Sequence, residues 1–191
     1  MKLIIIRHGE TEENKERIVQ GQSPGKLSEL GIEQAKKVAE RLKSEKIDLI
    51  FSSDLARAAN TAKEIIKFHS SIPFELKKEL RERSFGKFEG QKREEIKTQE
   101  PWSDELISKY GGENPEEATK RIVNLKNEFE SKFLEQTILI VTHNTIGNFL
   151  LTDLINDHEK TRLGNTSVTI FEFNKGKIPK LILLNCTKHL E

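Results

Sequence analysis

The sequence predicts an α/β domain, a three-layer α/β/α sandwich with a mostly parallel central sheet. Three observations carry that expectation. Short apolar, β-branched runs recur at Leu3–Ile6, Ile47–Phe51 and Ile138–Val141, each with the length and branching of a strand buried on both faces. Segments with apolar residues at helical spacing lie between them. The two patterns alternate, and alternation calls for parallel strands joined by crossovers, with helices on both faces of the sheet. At 191 residues the chain fits one domain, 1–191, with room for a substantial core.

The first strand stops abruptly at Arg7-His8-Gly9-Glu10-Thr11. In an open α/β sheet, ligands bind outside the carboxyl ends of the strands, so this cation and imidazole stand where chemistry is usually done. Residues 12–26 are polar, and Gln20-Gly21-Gln22 and Pro24-Gly25 mark them as a loop, with a helical turn open for part of it. Ser28 caps the next helix, whose inward face is read from Ile32, Ala35, Ala39 and Leu42. The second strand ends at Ser52-Ser53-Asp54. A helix follows with Leu55, Ala58, Ala59, Ala62, Ile65 and Ile66 inward and Arg57 in its first turn. A cation there is not what the helix dipole prefers, and a bound anion would account for it.

A short extended piece, Ile72–Leu76, leads to Leu80-Arg81-Glu82-Arg83. Residues 84–114 read as a helical and loop insertion capping the site, with Trp102 as a packing anchor. Asn114-Pro115 is a cap followed by proline at the first helical position. Ala118, Ile122, Leu125, Phe129 and Phe133 then form one stripe. The next strand ends at Thr142-His143-Asn144 and passes into a helix. Val168–Phe173 and Lys180–Leu184 read as a closing hairpin around Asn174-Lys175-Gly176-Lys177.

Composition narrows the function. Net charge is +1, so the global balance points to neither nucleic acid nor an anionic membrane. Charged residues are 33% of the chain, above the roughly 25% usual for soluble domains. The single cysteine, Cys186, excludes an internal disulfide and any multi-cysteine metal site, and its setting reads as packing. No stretch approaches the ~20 apolar residues of a membrane span, and the expected location is cytoplasmic. The partner expected is a small phosphorylated metabolite; monomer and homodimer both stay open.

Three strand ends deliver Arg7 and His8, Arg57, and His143. If the strands are neighbours, two guanidinium forks and two imidazoles converge, a set suited to a tetrahedral dianion. Gly9 permits a close backbone approach, and Asn14 and Gln20 supply neutral donors. A metal is not expected: zinc and iron sites normally take three or more protein ligands, and two arginines repel a cation. No cofactor is expected.

In order, Arg7-His8-Gly9-Glu10-Thr11, Ser52-Ser53-Asp54-Leu55-x-Arg57-Ala58, Leu80-Arg81-Glu82 and Thr142-His143 resemble the signatures of the histidine phosphatase superfamily. The likeness is to its phosphoglycerate-mutase-like branch and covers essentially the whole chain. It implies His8 as nucleophile, Arg7 and Arg57 on the phosphoryl oxygens, and His143 donating to the phosphoryl group. It implies Glu82 as general acid and base, preferred over Glu89, with Glu10 hydrogen-bonding behind the site. Asn14, Gln20 and Gly21 match positions that contact the phosphate in similar proteins. Asn144 stands where the branch often has glycine, and its amide is expected to reach phosphate or substrate. Glu82 and His143 are only 61 positions apart, and few cations are expected around 94–109, with Lys87, Lys92 and Arg93 as modest candidates. Phosphomonoester hydrolysis is therefore the first reading; a mutase-type phosphotransferase and a silent phosphate-binding module are the alternatives.

Overall fold

The computed structural model describes residues 1–99, 102–155 and 162–191. Its six strands are β1 (Lys2–Arg7), β2 (Leu49–Ser53), β3 (Phe74–Lys77), β4 (Thr137–Thr142), β5 (Val168–Glu172) and β6 (Lys180–Cys186). They form one sheet in the order β3-β2-β4-β1-β5-β6. Pairs β3–β2, β2–β4 and β4–β1 are parallel; β5 runs antiparallel to both its neighbours. The sheet is thus mostly parallel, and the closing hairpin is β5–β6.

Seven helices are described: α1 (Glu12–Lys15), α2 (Glu29–Leu42), α3 (Ala56–Ile66), α4 (Arg93–Gln99), α5 (Asp104–Lys109), α6 (Pro115–Lys132) and α7 (Asn144–Leu154). Alternation along the central strands divides the core in two. Leu3, Ile5, Ile138, Ile140 and Phe171 face α6 and α7, while Ile4, Ile6, Leu139, Val141 and Val168 face α2 and α3. A strand buried on both faces needs apolar residues at every position, which is why these runs lack the polar alternation of a surface strand.

Local signals set the helix ends. Ser28 accepts from Gly31 N at α2, and Asn114 accepts from Glu116 N ahead of Pro115 at α6. One face differs from expectation. Ile32 is 40% exposed, and the inward stripe of α2 runs through Gly31, Ala35, Val38, Ala39 and Leu42. The reason lies at Gly31, where a Cβ would fall 1.9 Å from Glu10 O. The helix start is pressed so close to the turn after β1 that its inward side holds no side chain, and Ile32 is rotated outward.

Cys186 also departs from plain packing. It is half-buried, with Sγ accepting from Arg41 Nη1 at 3.4 Å. A backbone hydrogen bond from Lys188, then Arg41, pushes the thiol below its ordinary pKa.

Candidate active site

Three neighbouring parallel strands, β2, β4 and β1, end on one side of the sheet. The groups that follow them line a cavity of about 640 Å³. Arg7, His8, Asn14, Gln20, Gly21, Arg57, Glu82 and Asn144 all border it. His143 lies beside it at 0% exposure, its ring centroid 5.0 Å from that of His8. The register explains the convergence, because Arg7 pairs with Thr142 and Ser52 with Val141, leaving His8 and His143 at one level and Ser53 one residue behind them, level with Thr142.

His8 is held by its own turn. Nδ1 lies 2.7 Å from Gly9 O, so this nitrogen carries the proton, while Nε2 has no hydrogen-bond partner among the described residues. Gly9 N donates to Thr61 Oγ1 from α3. The close approach expected at Gly9 is made by the protein itself: a Cβ there would fall 2.5 Å from Gly31 O.

Arg57 is 1% exposed, and each nitrogen of its guanidinium has a partner. Nη2 donates to Gly21 O at 2.7 Å, Nη1 to Ser23 O at 2.6 Å, and Nε to His143 Nδ1 at 3.2 Å. The loop of residues 20–25 is wrapped on this side chain. Gly25 sits at φ +63°, and a Cβ there would fall 2.6 Å from Gln20 Oε1 and 3.1 Å from Arg57 Nη1. Gln20 Oε1 is itself buried without a partner.

Because Arg57 can only donate, Nδ1 of His143 is the acceptor, and its Nε2 donates to Ser53 Oγ at 2.8 Å. Both ring nitrogens are therefore occupied. In this arrangement its acceptor nitrogen orients Arg57 and its N–H is held by Ser53. An anion that draws Arg57 Nε away frees Nδ1.

Arg7 donates from Nη1 to Leu163 O, and its Nε is buried without a partner. Burial, offset in part by Glu82, brings both Arg7 and Arg57 down to about 10. His8 and His143 lie well below the ordinary histidine value, through burial first and then the charge of Arg57. Both imidazoles are neutral near pH 7, and a bound dianion would relieve the crowded positive charge.

Glu82, 7% exposed, reaches the cavity from the turn after β3. Its carboxylate accepts from Thr145 N at 3.1 Å, Ile146 N at 3.2 Å and Arg83 N at 2.9 Å. Residue 143 caps α7 without a side-chain bond, so Glu82 satisfies the orphan amides of that helix start. Glu89, the alternative acid, is committed elsewhere: Oε1 accepts from Gln22 N, Ser84 Oγ and Phe85 N. Glu10 accepts from Ser28 Oγ at 2.8 Å. Asn14 Oδ1 accepts from Thr11 N, closing a capping box around α1. Asn144 Oδ1 accepts from Leu163 N at 3.0 Å, fixing the loop that also receives Arg7.

The sequence reading missed further cations on the cavity wall: Arg17, Arg83 and Arg162 join the anticipated Arg93. Lys87 and Lys92 do not line it. Arg83 directly follows Glu82 and was legible as a neighbour; Arg162 carries no local signal. Among the described residues, no group of three histidine, cysteine or acidic side chains could hold a metal ion, and no helix is long and apolar enough to cross a membrane.

Comparisons with known proteins identify relatives of the chain and of its fold. Phosphoglycerate mutase-like protein 4 of Arabidopsis thaliana is 30% identical across all of this chain and 87% of its own length. The solved structure of YhfR from Bacillus stearothermophilus superposes with a TM-score of 0.90 at 28% identity, covering 100% of this chain and 99% of that one. A phosphoserine phosphatase from Entamoeba histolytica, solved with 3-phosphoglyceric acid, gives a TM-score of 0.84 at 31% identity over 100% and 99% of the two chains. Residues 3–187 match the histidine phosphatase superfamily, branch 1, and the chain belongs to that family.

Proposed function

We propose that the protein hydrolyses phosphomonoesters through a phosphohistidine on His8, without a metal. The observation that carries this reading is the imidazole of His8, neutral, its Nδ1 proton tied to Gly9 O and its Nε2 unpartnered at the cavity wall. That is a nucleophile already in its reactive tautomer. Nε2 attacks phosphorus as the bond to the leaving oxygen breaks, and Glu82 gives that oxygen a proton. Water then attacks the phosphohistidine, Glu82 takes its proton, the P–N bond breaks and inorganic phosphate leaves. Arg7 and Arg57 stabilise charge on the equatorial oxygens, where phosphoryl transfer needs it most. His143 orients Arg57, while Asn14, Gln20, Gly21 and Asn144 border the oxygens and the leaving group.

The test is hydrolysis of p-nitrophenyl phosphate in excess chelator by the native protein, His8→Ala and Glu82→Gln. Activity that survives chelation, vanishes in H8A and falls by about 10²–10⁴ in E82Q supports the reading. Loss of native activity on chelation would overturn it. No hydrolysis by the native protein, with turnover of 3-phosphoglycerate into its isomer, would replace hydrolase with mutase.

A further inference from the structure

The two peptide planes beside His8 are held by a turn outside the cavity lining. Thr166 N donates to Arg7 O at 3.0 Å and reaches His8 O at 3.4 Å, and Asn165 Nδ2 donates to His8 O at 3.1 Å. His8 N donates to Thr142 O at 3.0 Å. Each peptide is planar, so fixing the carbonyls on both sides of the His8 Cα fixes its φ and ψ. The direction in which the imidazole leaves the backbone is set with them.

Thr166 makes these bonds from φ +54°, a left-handed backbone that a β-branched residue rarely adopts. Such a conformation persists where its surroundings over-determine it, and here the restraint can be traced. Thr166 is fully buried. Its Oγ1 donates to Asn165 O at 2.8 Å and lies 3.2 Å from Nε2 of His189, in the closing turn Lys188–Leu190. Nδ1 of the same ring lies 3.0 Å from Arg41 Nη1 of α2. Arginine only donates, so Nδ1 accepts, the ring is neutral, and Nε2–H donates to Thr166 Oγ1. One line of hydrogen bonds thus runs through Arg41, His189, Thr166, Asn165 and His8, each residue donating to the next.

A second fastening comes from the same end of the chain. Asn185, at φ +48°, accepts from Gly164 N at 2.8 Å through Oδ1 and donates through Nδ2 to Arg162 O at 3.2 Å. Leu163, between them, gives its carbonyl to Arg7. Asn185 and His189 border no part of the cavity, yet they hold the loop against which Arg7 and His8 are set.

We propose that His189 is a positioning residue for His8, holding the 165–166 turn through the Thr166 hydroxyl so that Nε2 of His8 is aimed at the substrate phosphorus. This rests on the hydrolase reading above and extends it to a residue remote from the substrate.

The experiment measures kcat and KM on p-nitrophenyl phosphate, together with melting temperature, for the native protein, His189→Gln and His189→Leu. Glutamine keeps an acceptor and a donor on either side of one carbon, as imidazole does; leucine keeps the bulk and neither bond. A small misplacement of a reacting group costs as much as about 10²-fold in rate. His189→Leu is expected to lose about tenfold in kcat with KM within about twofold of native, and His189→Gln to keep kcat within about threefold. Thr166→Val, which removes only the hydroxyl, should match the leucine variant and serves in its place if that variant does not fold. Melting temperatures lowered equally in both His189 variants, with kcat lost only in leucine, would support the proposal, because stability then does not account for activity. Equal loss of kcat in glutamine and leucine, a rise in KM at unchanged kcat, or native kcat in His189→Leu would overturn it, while hydrolysis by the native protein left the hydrolase reading standing. A native protein that hydrolyses no p-nitrophenyl phosphate would overturn both.

Discussion

His8 and His143 show how far a few side chains can set the properties of a site. Each ring is buried beside Arg57 and held neutral, which suits a nucleophile but has a thermodynamic cost in acid. An unfolded histidine titrates near 6.5, whereas these rings refuse the proton until much lower pH. Below about pH 6.5 the unfolded chain therefore binds more protons than the native one, and stability falls as pH falls. The slope is about 1.4 kcal/mol per pH unit for each ring. His189, lowered to about 4 by burial and then Arg41, adds to the trend in the same direction. Melting temperatures measured from pH 7.5 down to 5 should drop steadily, and His8→Gln should make the decline shallower. A flat profile over that range would mean that the rings are protonated in the native state.

At the scale of elements, the contact between the turn after β1 and the start of α2 decides the geometry around His8. Gly9 and Gly31 meet there with no room for a Cβ on either. Replacing a helical glycine by alanine normally stabilises by about 1 kcal/mol. At Gly31 the new methyl would lie 1.9 Å from a backbone oxygen, so α2 must move out and the overpacking cost of about 1–3 kcal/mol wins. Gly31→Ala is expected to lower the urea midpoint and to reduce turnover together, because His8 Nδ1 is positioned by the same turn.

How much of this was legible in the sequence follows from the range of each interaction. Strands buried on both faces announce themselves as unbroken apolar runs, so the sheet could be read, as could the caps Ser28 and Asn114. Arg7, His8, Arg57 and Glu82 stood at strand ends or in the turns beyond them, and the structure brings them round one cavity. What escaped were contacts between distant segments. Nothing local to Ile32 reveals that Gly31 is pinned against Glu10. Nothing near His143 shows that Arg57 and Ser53 occupy both its nitrogens, and nothing at Arg162 places it on the cavity wall.

For the molecule as a whole, the cavity is shared by segments that are far apart in sequence and meet only when the sheet is complete. Arg57 follows β2, Glu82 follows β3, and Asn144 opens the helix after β4. No contiguous stretch contains a working site. Catalytic activity and far-UV circular dichroism should therefore be lost over the same range in a urea titration, as a single cooperative transition. Activity disappearing at distinctly lower urea would show that the cavity opens before the sheet does.

The placement of β1 has a further consequence, in time rather than space. The strand that delivers His8, the proposed nucleophile, comes early in the chain, yet both its partners come late: Leu3 pairs with Ile138 on one side and Phe171 on the other. Closing such distant pairs is entropically slow. During synthesis, β1 stays without a neighbour until β4 has left the ribosome, and it remains an edge until β5 follows. Its apolar run is thus the part of the nascent chain most in need of shelter, and His8 is the first group of the candidate site to be made and among the last to be set in place.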